Sequence, residues 1–144
     1  MFLGEYQHTL DAKGRLSLPS KFRSDMTGSL VVSKGIERCL YVQASEEYAS
    51  FVAHLTEGSD FDPEYRKVRR FFTSGAVESE LDSAGRVTVS LALREYAGLD
   101  KDVTIIGNGD RIELWDTEHW ATYNGETTEN IEESARGIAA LGFK

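Results

Sequence analysis

Apolar and polar positions change their period several times along this chain, and the changes mark its elements. Leu16 and Leu18 alternate with Arg15 and Ser17, and 71 positions later Val87 and Val89 alternate with Arg86 and Thr88. A period of two sends successive side chains to opposite faces of a strand, so each run predicts a strand with an apolar inner face and one arginine outside. Leu30-Val31-Val32, Arg38 to Val42, Val103 to Ile106 and Arg111 to Trp115 read as further strands. Helical spacing takes over at Tyr48, Phe51, Val52 and Leu55, with Ser45 as cap. It returns at Tyr65, Val68 and Phe72, behind the start signal Asp62-Pro63-Glu64. Past Trp120 the pattern predicts an acidic tail helix. Glu126, Glu129, Glu132 and Glu133 accompany a stripe of Ile131, Ala135, Ile138 and Ala139, weakened by Gly137. Such a stripe has to cover its own core or a neighbour's.

Each alternating run follows a turn signal, Asp11-Ala12-Lys13-Gly14 in the first half and Asp82-Ser83-Ala84-Gly85 in the second. Aspartate suits the first position of a type I turn because its carboxylate accepts the backbone N–H two residues on, and glycine suits the fourth. The repeat extends further. Phe22-Arg23 precedes Leu93-Arg94 by the same interval, and Tyr48 parallels Trp120 after a small insertion. Each half therefore reads strand, turn, strand, short helix, strand, tight turn, strand, helix. Pro19 and Ser90 are expected to open the short helices, Pro19 at the first helical position, and Gly98 to stop the second. The later hairpins should turn at Lys34-Gly35 and across Gly107-Asn108-Gly109-Asp110. Half-sheets of this size cannot bury a core alone. The halves are expected to interleave about a pseudo-twofold axis into one small barrel, a β-rich α+β fold, with Arg15 and Arg86 sharing a face.

Composition narrows the function classes. With 144 residues, 40% of them hydrophobic and 28% charged, the chain is expected to form one globular domain without a disulfide or metal staple. A single cysteine, Cys39, excludes a disulfide framework and a cysteine-based zinc site. Met1 to Glu5 carries no basic leader and no apolar run approaches a membrane span, so the cytoplasm is the expected compartment. His8, His54 and His119 are scattered, Cys39 has no candidate base nearby, and Glu46-Glu47 and Glu132-Glu133 read as solvated helix faces. No catalytic residue, metal, cofactor or small-molecule substrate is expected. The net charge of −8 is uneven: residues 1–38 hold six Lys/Arg against four Asp/Glu, whereas residues 78–144 hold six against fourteen. A polyanion could be bound only at a local basic edge.

That edge is the pair of turns. The major groove of DNA admits a two-stranded β-ribbon, and arginine bonds guanine O6 and N7 in bidentate fashion, so Arg15 and Arg86 are the candidate base contacts. Lys13 and Lys21 are candidate phosphate contacts, while Asp11, Gly14, Asp82 and Gly85 shape the turns. Ala84 stands where the first turn has Lys13, which makes the first copy the better DNA contact. The alternative is an internal salt bridge, Asp11 to Arg15 and Asp82 to Arg86 or crosswise between the halves. Arg23 and Arg94 read as structural. The face formed by Arg66, Lys67 and Arg70, with Arg69 at its edge, is open to two readings, a solvated surface or an accessory contact with phosphate or an acidic partner.

Together the duplicated Asp-x-x-Gly-Arg, Phe2-Leu3-Gly4-Glu5-Tyr6, Leu18 to Arg23, Arg69-Arg70-Phe71-Phe72 and Ile112-Glu113-Leu114-Trp115-Asp116 resemble the bacterial MraZ family, up to about Tyr123. The resemblance implies tandem SpoVT-AbrB domains in a swapped-hairpin, double-split β-barrel, assembled as a ring-shaped homo-oligomer. On that footing residues 1–60 form the first repeat, 61–75 a basic connecting helix, 76–123 the second repeat and 124–144 an acidic tail. Tyr48 stands where the family often has Trp. The implied function is a nucleoid-associated transcriptional regulator that binds repeated boxes in double-stranded DNA upstream of the division and cell-wall gene cluster and represses it and its own gene. A protein-interaction or antitoxin-like scaffold barrel is the alternative.

Overall fold

The computed structural model describes residues 1–55, 57, 58 and 60–142; the last two positions of the expected tail, 143 and 144, lie outside the described residues. The first half runs β1 (Phe2–Thr9), β2 (Arg15–Ser17), α1 (Ser20–Arg23), β3 (Ser29–Lys34), β4 (Leu40–Ala44), α2 (Ser45–Leu55) and α3 (Pro63–Ser74). The second runs β5 (Val77–Glu80), β6 (Arg86–Thr88), α4 (Leu91–Ala97), β7 (Asp102–Gly109), β8 (Arg111–Asp116), α5 (Thr117–Glu129) and α6 (Ile131–Ala140). Several predicted boundary signals act as expected. The Asp62 side chain accepts from Glu64 N with Pro63 behind it, the Ser90 hydroxyl accepts from Leu93 N, and Gly98 closes α4 in the left-handed region.

The six-stranded antiparallel sheet has the order β1-β7-β8-β4-β3-β5, and β2 pairs with β6 in a separate two-stranded ribbon. Exchanging β1–β4 for β5–β8 turns this order into its own reverse, which is the signature of a pseudo-twofold relation between the halves. The halves interleave as expected. β1 pairs along its whole length with β7, Phe2 opposite Gly109 and Thr9 opposite Asp102, while β5 returns to β3 with Ser29 opposite Glu80. Neither half can complete its sheet without a strand from the other.

Alternation along the strands divides the core in two. Leu30, Val32, Leu40, Val42, Val103, Ile105, Ile112 and Leu114 face inward and pack against Leu16, Leu18, Val87 and Val89 of the ribbon and Phe22 and Leu93 of the short helices. On the opposite face of the sheet Tyr41, Cys39 and Trp115 meet Phe72 of α3, with Phe51 of α2 and Trp120 and Tyr123 of α5 around them. Ribbon and short helices thus cover one face and the longer helices the other. Both faces are apolar, so the strands carry near-continuous buried runs such as Leu30 to Ser33 and Ile112 to Trp115.

Four local expectations need correction. Pro19 is the N-cap of α1 rather than its first helical residue. Ser45 lies inside α2, and its hydroxyl bonds Ser29 Oγ at 2.7 Å instead of capping. The turn between β3 and β4 takes its left-handed residues at Glu37 and Arg38, with φ of 70° and 62°, not at Gly35. Gly35 is needed for another reason, since a Cβ there would sit 2.5 Å from the Tyr41 ring. The predicted single tail helix is broken at Asn130 into α5 and α6. Among the described residues no helix is long and apolar enough to cross a membrane.

Candidate nucleic-acid interface

The site is built from the two Asp-x-x-Gly-Arg turns and the ribbon between them. In each turn the aspartate organises the backbone. Asp11 Oδ1 accepts from Lys13 N and Arg15 N, both at 2.9 Å, and Asp82 Oδ1 accepts from Ala84 N and Arg86 N at the same distance. Gly14 N and Gly85 N close the turns onto Asp11 O and Asp82 O at 3.0 and 2.9 Å. The glycines have φ of +77° and +75°, which an L side chain resists. Turn and ribbon are then locked across the halves, because Val89 N donates to Gly14 O and Leu18 N donates to Gly85 O.

In the ribbon Arg15 stands opposite Thr88, Leu16 opposite Val87 and Ser17 opposite Arg86. Leu16 and Val87 are fully buried, so Arg15, Ser17, Arg86 and Thr88 share the outer face. Arg15 and Arg86 are diagonal neighbours there, a relation that places backbone positions about 7–8 Å apart. The structure brings both predicted arginines to one surface, with side chains 30% and 32% exposed.

The salt-bridge geometry is also present. Arg15 Nε donates to Asp11 Oδ2 at 2.6 Å, Arg86 Nε donates to Asp82 Oδ2 at 2.7 Å, and Arg86 Nη1 lies 4.0 Å from Asp11 Oδ2, joining the two turns. Each pairing uses Nε and fixes the plane of the guanidinium. No hydrogen bond among the described residues engages the terminal nitrogens of either arginine, which form the edge that a guanine or a phosphate would meet end-on. Backbone donation from Arg15 and Arg86 holds the Asp11 and Asp82 carboxyls below the ordinary aspartate value, assisted by the arginine side chains and Lys13 or Ala84 N–H. A depressed carboxyl pKa contributes order above its unfolded value and loses it only as pH falls through the folded one, so the turns stay charged throughout the neutral range.

The other predicted residues sit as follows. Lys13 is exposed at the tip of the first turn, and Lys21 is exposed on α1 without an ion pair among the described residues. Arg23 and Arg94, read from the sequence as structural, clamp the turns. Arg23 Nε donates to Leu18 O and its guanidinium lies against Gly85, while Arg94 Nε donates to Val89 O and lies against Gly14. Each therefore reaches the turn of the opposite half. Their shared interval of 71 was the visible signal; the crossing was not, because it depends on the interleaving.

A family model described as MraZ protein, and as antitoxin-like, matches residues 1–71 and again residues 72–140. The chain is 44% identical over 143 residues, 99% of its own length and all of the relative's, to "Transcriptional regulator MraZ" of Acetivibrio thermocellus. Identity is also 44% over 143 residues with the protein of that name from Syntrophomonas wolfei, and 40% with that from Alkaliphilus oremlandii. The likeness runs well past Tyr123 and takes in the tail, further than the sequence motifs reached. A fold of two interleaved halves, each with one Asp-x-x-Gly-Arg turn, and this end-to-end likeness agree: the chain belongs to the MraZ family.

Proposed function

We propose that this chain is a sequence-specific DNA-binding transcriptional regulator that reads its operator with the outer face of the β2–β6 ribbon. The observation that carries the reading is the placement of Arg15 and Arg86 on that face, each oriented through Nε by its turn aspartate, with no hydrogen bond to its terminal nitrogens among the described residues. A ribbon of this width enters a major groove, and a pre-oriented guanidinium loses little freedom on bonding a guanine. Lys13 and Lys21 would then hold phosphates. The names of the relatives support the regulatory part of the reading.

In its full form the proposal is a repressor of the division and cell-wall gene cluster and of its own gene, acting in the cytoplasm on the nucleoid and binding repeated upstream boxes as a ring-shaped homo-oligomer. With a net charge of −8 a single protomer is a poor ligand for DNA. Several protomers on successive boxes convert later contacts into intramolecular ones, which raises avidity by about 10²–10⁴. No residue is assigned a catalytic role. An antitoxin-like interaction barrel is the second reading, favoured by the exposed α6 and by the family description.

Mobility-shift titration over a salt series, on DNA from upstream of the gene, tests the proposal. Arg15→Ala or Arg86→Ala should weaken specific binding about tenfold or more, as expected for loss of one bidentate base contact. Lys13→Ala should weaken binding to all sequences and reduce the salt slope by about one. Wild-type affinity in both arginine variants would refute the assignment.

A further inference from the structure

The two halves match closely enough to show one place where they differ. In the β4–β8 pairing Leu40 lies opposite Leu114 and Val42 opposite Ile112, so the pseudo-twofold relation exchanges Leu40 with Ile112 and Val42 with Leu114. Carried along the chain in that register, it exchanges Gln43 with Trp115, Glu47 with His119 and Phe51 with Tyr123. In the second half the Trp115 ring fills the space under α5, with the rings of His119, Trp120 and Tyr123 each 5.1 Å away. Its indole N–H donates to Glu113. In the first half a glutamine stands in the place of the tryptophan, and a cavity of about 240 Å³ opens between α2 and the β7–β8 turn.

The amide on the sheet side of this cavity is unpartnered. Gln43 is 2% exposed, and its buried Oε1 has no hydrogen-bond partner among the described residues. A buried acceptor without a donor loses its hydration and gains nothing, whereas an apolar side chain of similar shape would carry no such cost. Gln43 therefore calls for a donor brought from outside the chain.

The charges at the mouth decide which donor. Glu47 of α2 and Asp110 of the β7–β8 turn line the cavity, both are exposed, and neither side chain has a hydrogen bond or ion pair among the described residues. The neighbouring basic groups are engaged elsewhere. Arg111 Nε and Nη2 each lie 3.0 Å from Glu113 Oε2 with the guanidinium 4.0 Å from the Tyr41 ring centroid, and His54 Nδ1 lies 3.4 Å from Glu57. An unpaired amide oxygen beneath two free carboxylates selects a cationic donor over an anion. Among the described residues no three His, Cys, Asp or Glu side chains are grouped to hold a metal ion, so the donor set suits an ammonium. The volume falls below the roughly 300–1,000 Å³ of sites for drug-sized ligands, which leaves room for a short aliphatic amine. Glu47 and Asp110 also line a second cavity, of about 610 Å³, together with exposed Asp25. A second ammonium on the same molecule has a carboxylate to meet there.

We propose that this cavity binds a small linear diamine or polyamine, one ammonium donating to Gln43 Oε1 between the Glu47 and Asp110 carboxylates and the next lying toward Asp25, with Phe51 as an apolar wall. Gln43 alternates with inward-facing Val42, which puts the amide on the face of the sheet away from the β2–β6 ribbon. The site is therefore separate from the DNA-reading face, and its test needs no DNA.

Calorimetric titration with putrescine and spermidine, and thermal unfolding in their presence, test this. Wild type should bind one equivalent saturably, and both probes should raise the unfolding midpoint. Gln43→Leu should weaken binding about tenfold or more, while leaving the free chain at least as stable as wild type. Gln43→Trp, which copies the second half, should abolish binding. Glu47→Gln/Asp110→Asn should also weaken it about tenfold or more. The net charge of −8 attracts any polycation, so Glu132→Gln/Glu133→Gln, with the same change of charge, serves as the control and should bind like wild type. Equal affinity in wild type, Gln43→Leu and Gln43→Trp would overturn the site, as would equal losses in the two carboxylate pairs, because both mean general attraction to an acidic chain. Absence of heat and of a midpoint shift at millimolar putrescine and spermidine would overturn it as well and leave water as the partner of Gln43.

Discussion

At the scale of single residues the turns are held by a few atoms whose roles can be separated. Gly14 and Gly98 both have left-handed φ, +77° and +64°, but their surroundings differ. A Cβ at Gly14 would lie 2.9 Å from Val89 O and 3.0 Å from the Arg94 guanidinium, and the Val89 N to Gly14 O bond prevents the strands from moving apart. At Gly98 nothing lies within 4 Å. Gly98→Ala should therefore carry only the left-handed penalty, about 1–2 kcal/mol. Gly14→Ala should carry that penalty plus the crowding, about 1 kcal/mol or more beyond it. For a chain of this size each kcal/mol lowers the melting temperature by about 2–4 °C, so thermal unfolding resolves the two. Equal losses would show that the close approach of the halves at Gly14 is of no energetic consequence. Glu113 is the other residue whose role became visible only in the fold. Buried in β8, it accepts from Trp115 Nε1, Asn108 Nδ2 and Arg111 Nε, each at 3.0 Å, so that no oxygen is left without a donor.

At the scale of elements, the outer layer depends on α3, and α3 depends on Phe72. That ring stacks on Tyr41 with centroids 6.1 Å apart and meets Phe51 and Phe71 edge-on at 5.0 Å, while Tyr48 Oη donates to Phe72 O. Phe72→Ala should cost about 3–5 kcal/mol. Because the inner cluster lies across the sheet, hydrogen exchange should rise in α2 and α3 and stay near wild type in β2, β6 and β7. A uniform rise would mean that the layers unfold as one unit. The same layering explains what could be read beforehand. The two turns, the strand alternation and the caps at Asp62 and Ser90 are short-range features, set by φ preference and by hydrogen bonds within a few residues. The β3–β4 turn was misread because Gly35 answers to the Tyr41 ring rather than to backbone twist. Tyr96, 61 positions away, bonds Gly35 O, and its ring lies under Arg38. The arginine pair could be located from the repeat, but the clamping of each turn by Arg23 or Arg94 could not. That contact is long-range, and so is the choice of partner for each edge strand.

At the scale of the whole molecule the interleaving is an energetic necessity, and it can be tested by cutting the chain. With β1 on β7 and β5 on β3, a cut between residues 74 and 75 leaves each fragment with a strand that has no partner and an inner face without half of its ribbon. The fragment 1–74 would expose Leu16, Leu18, Leu30, Val32, Leu40 and Val42, all buried within 1% in the intact chain. A fragment of this size can bury too little apolar surface to offset its chain entropy. At low micromolar concentration neither fragment should unfold cooperatively. An equimolar mixture should regain a cooperative transition whose midpoint rises with concentration, because folding has become bimolecular. Fragment 1–74 should do the same alone at higher concentration, since a second copy can place its β1 on β3 where β5 belongs. This would be the parent twofold dimer from which the pseudo-twofold chain reads as a fusion. A concentration-independent transition in fragment 1–74 would mean that one half builds a sufficient core unaided. The cross-half bonds at Gly14 and Gly85 would then be a consequence of the ribbon's position rather than its cause.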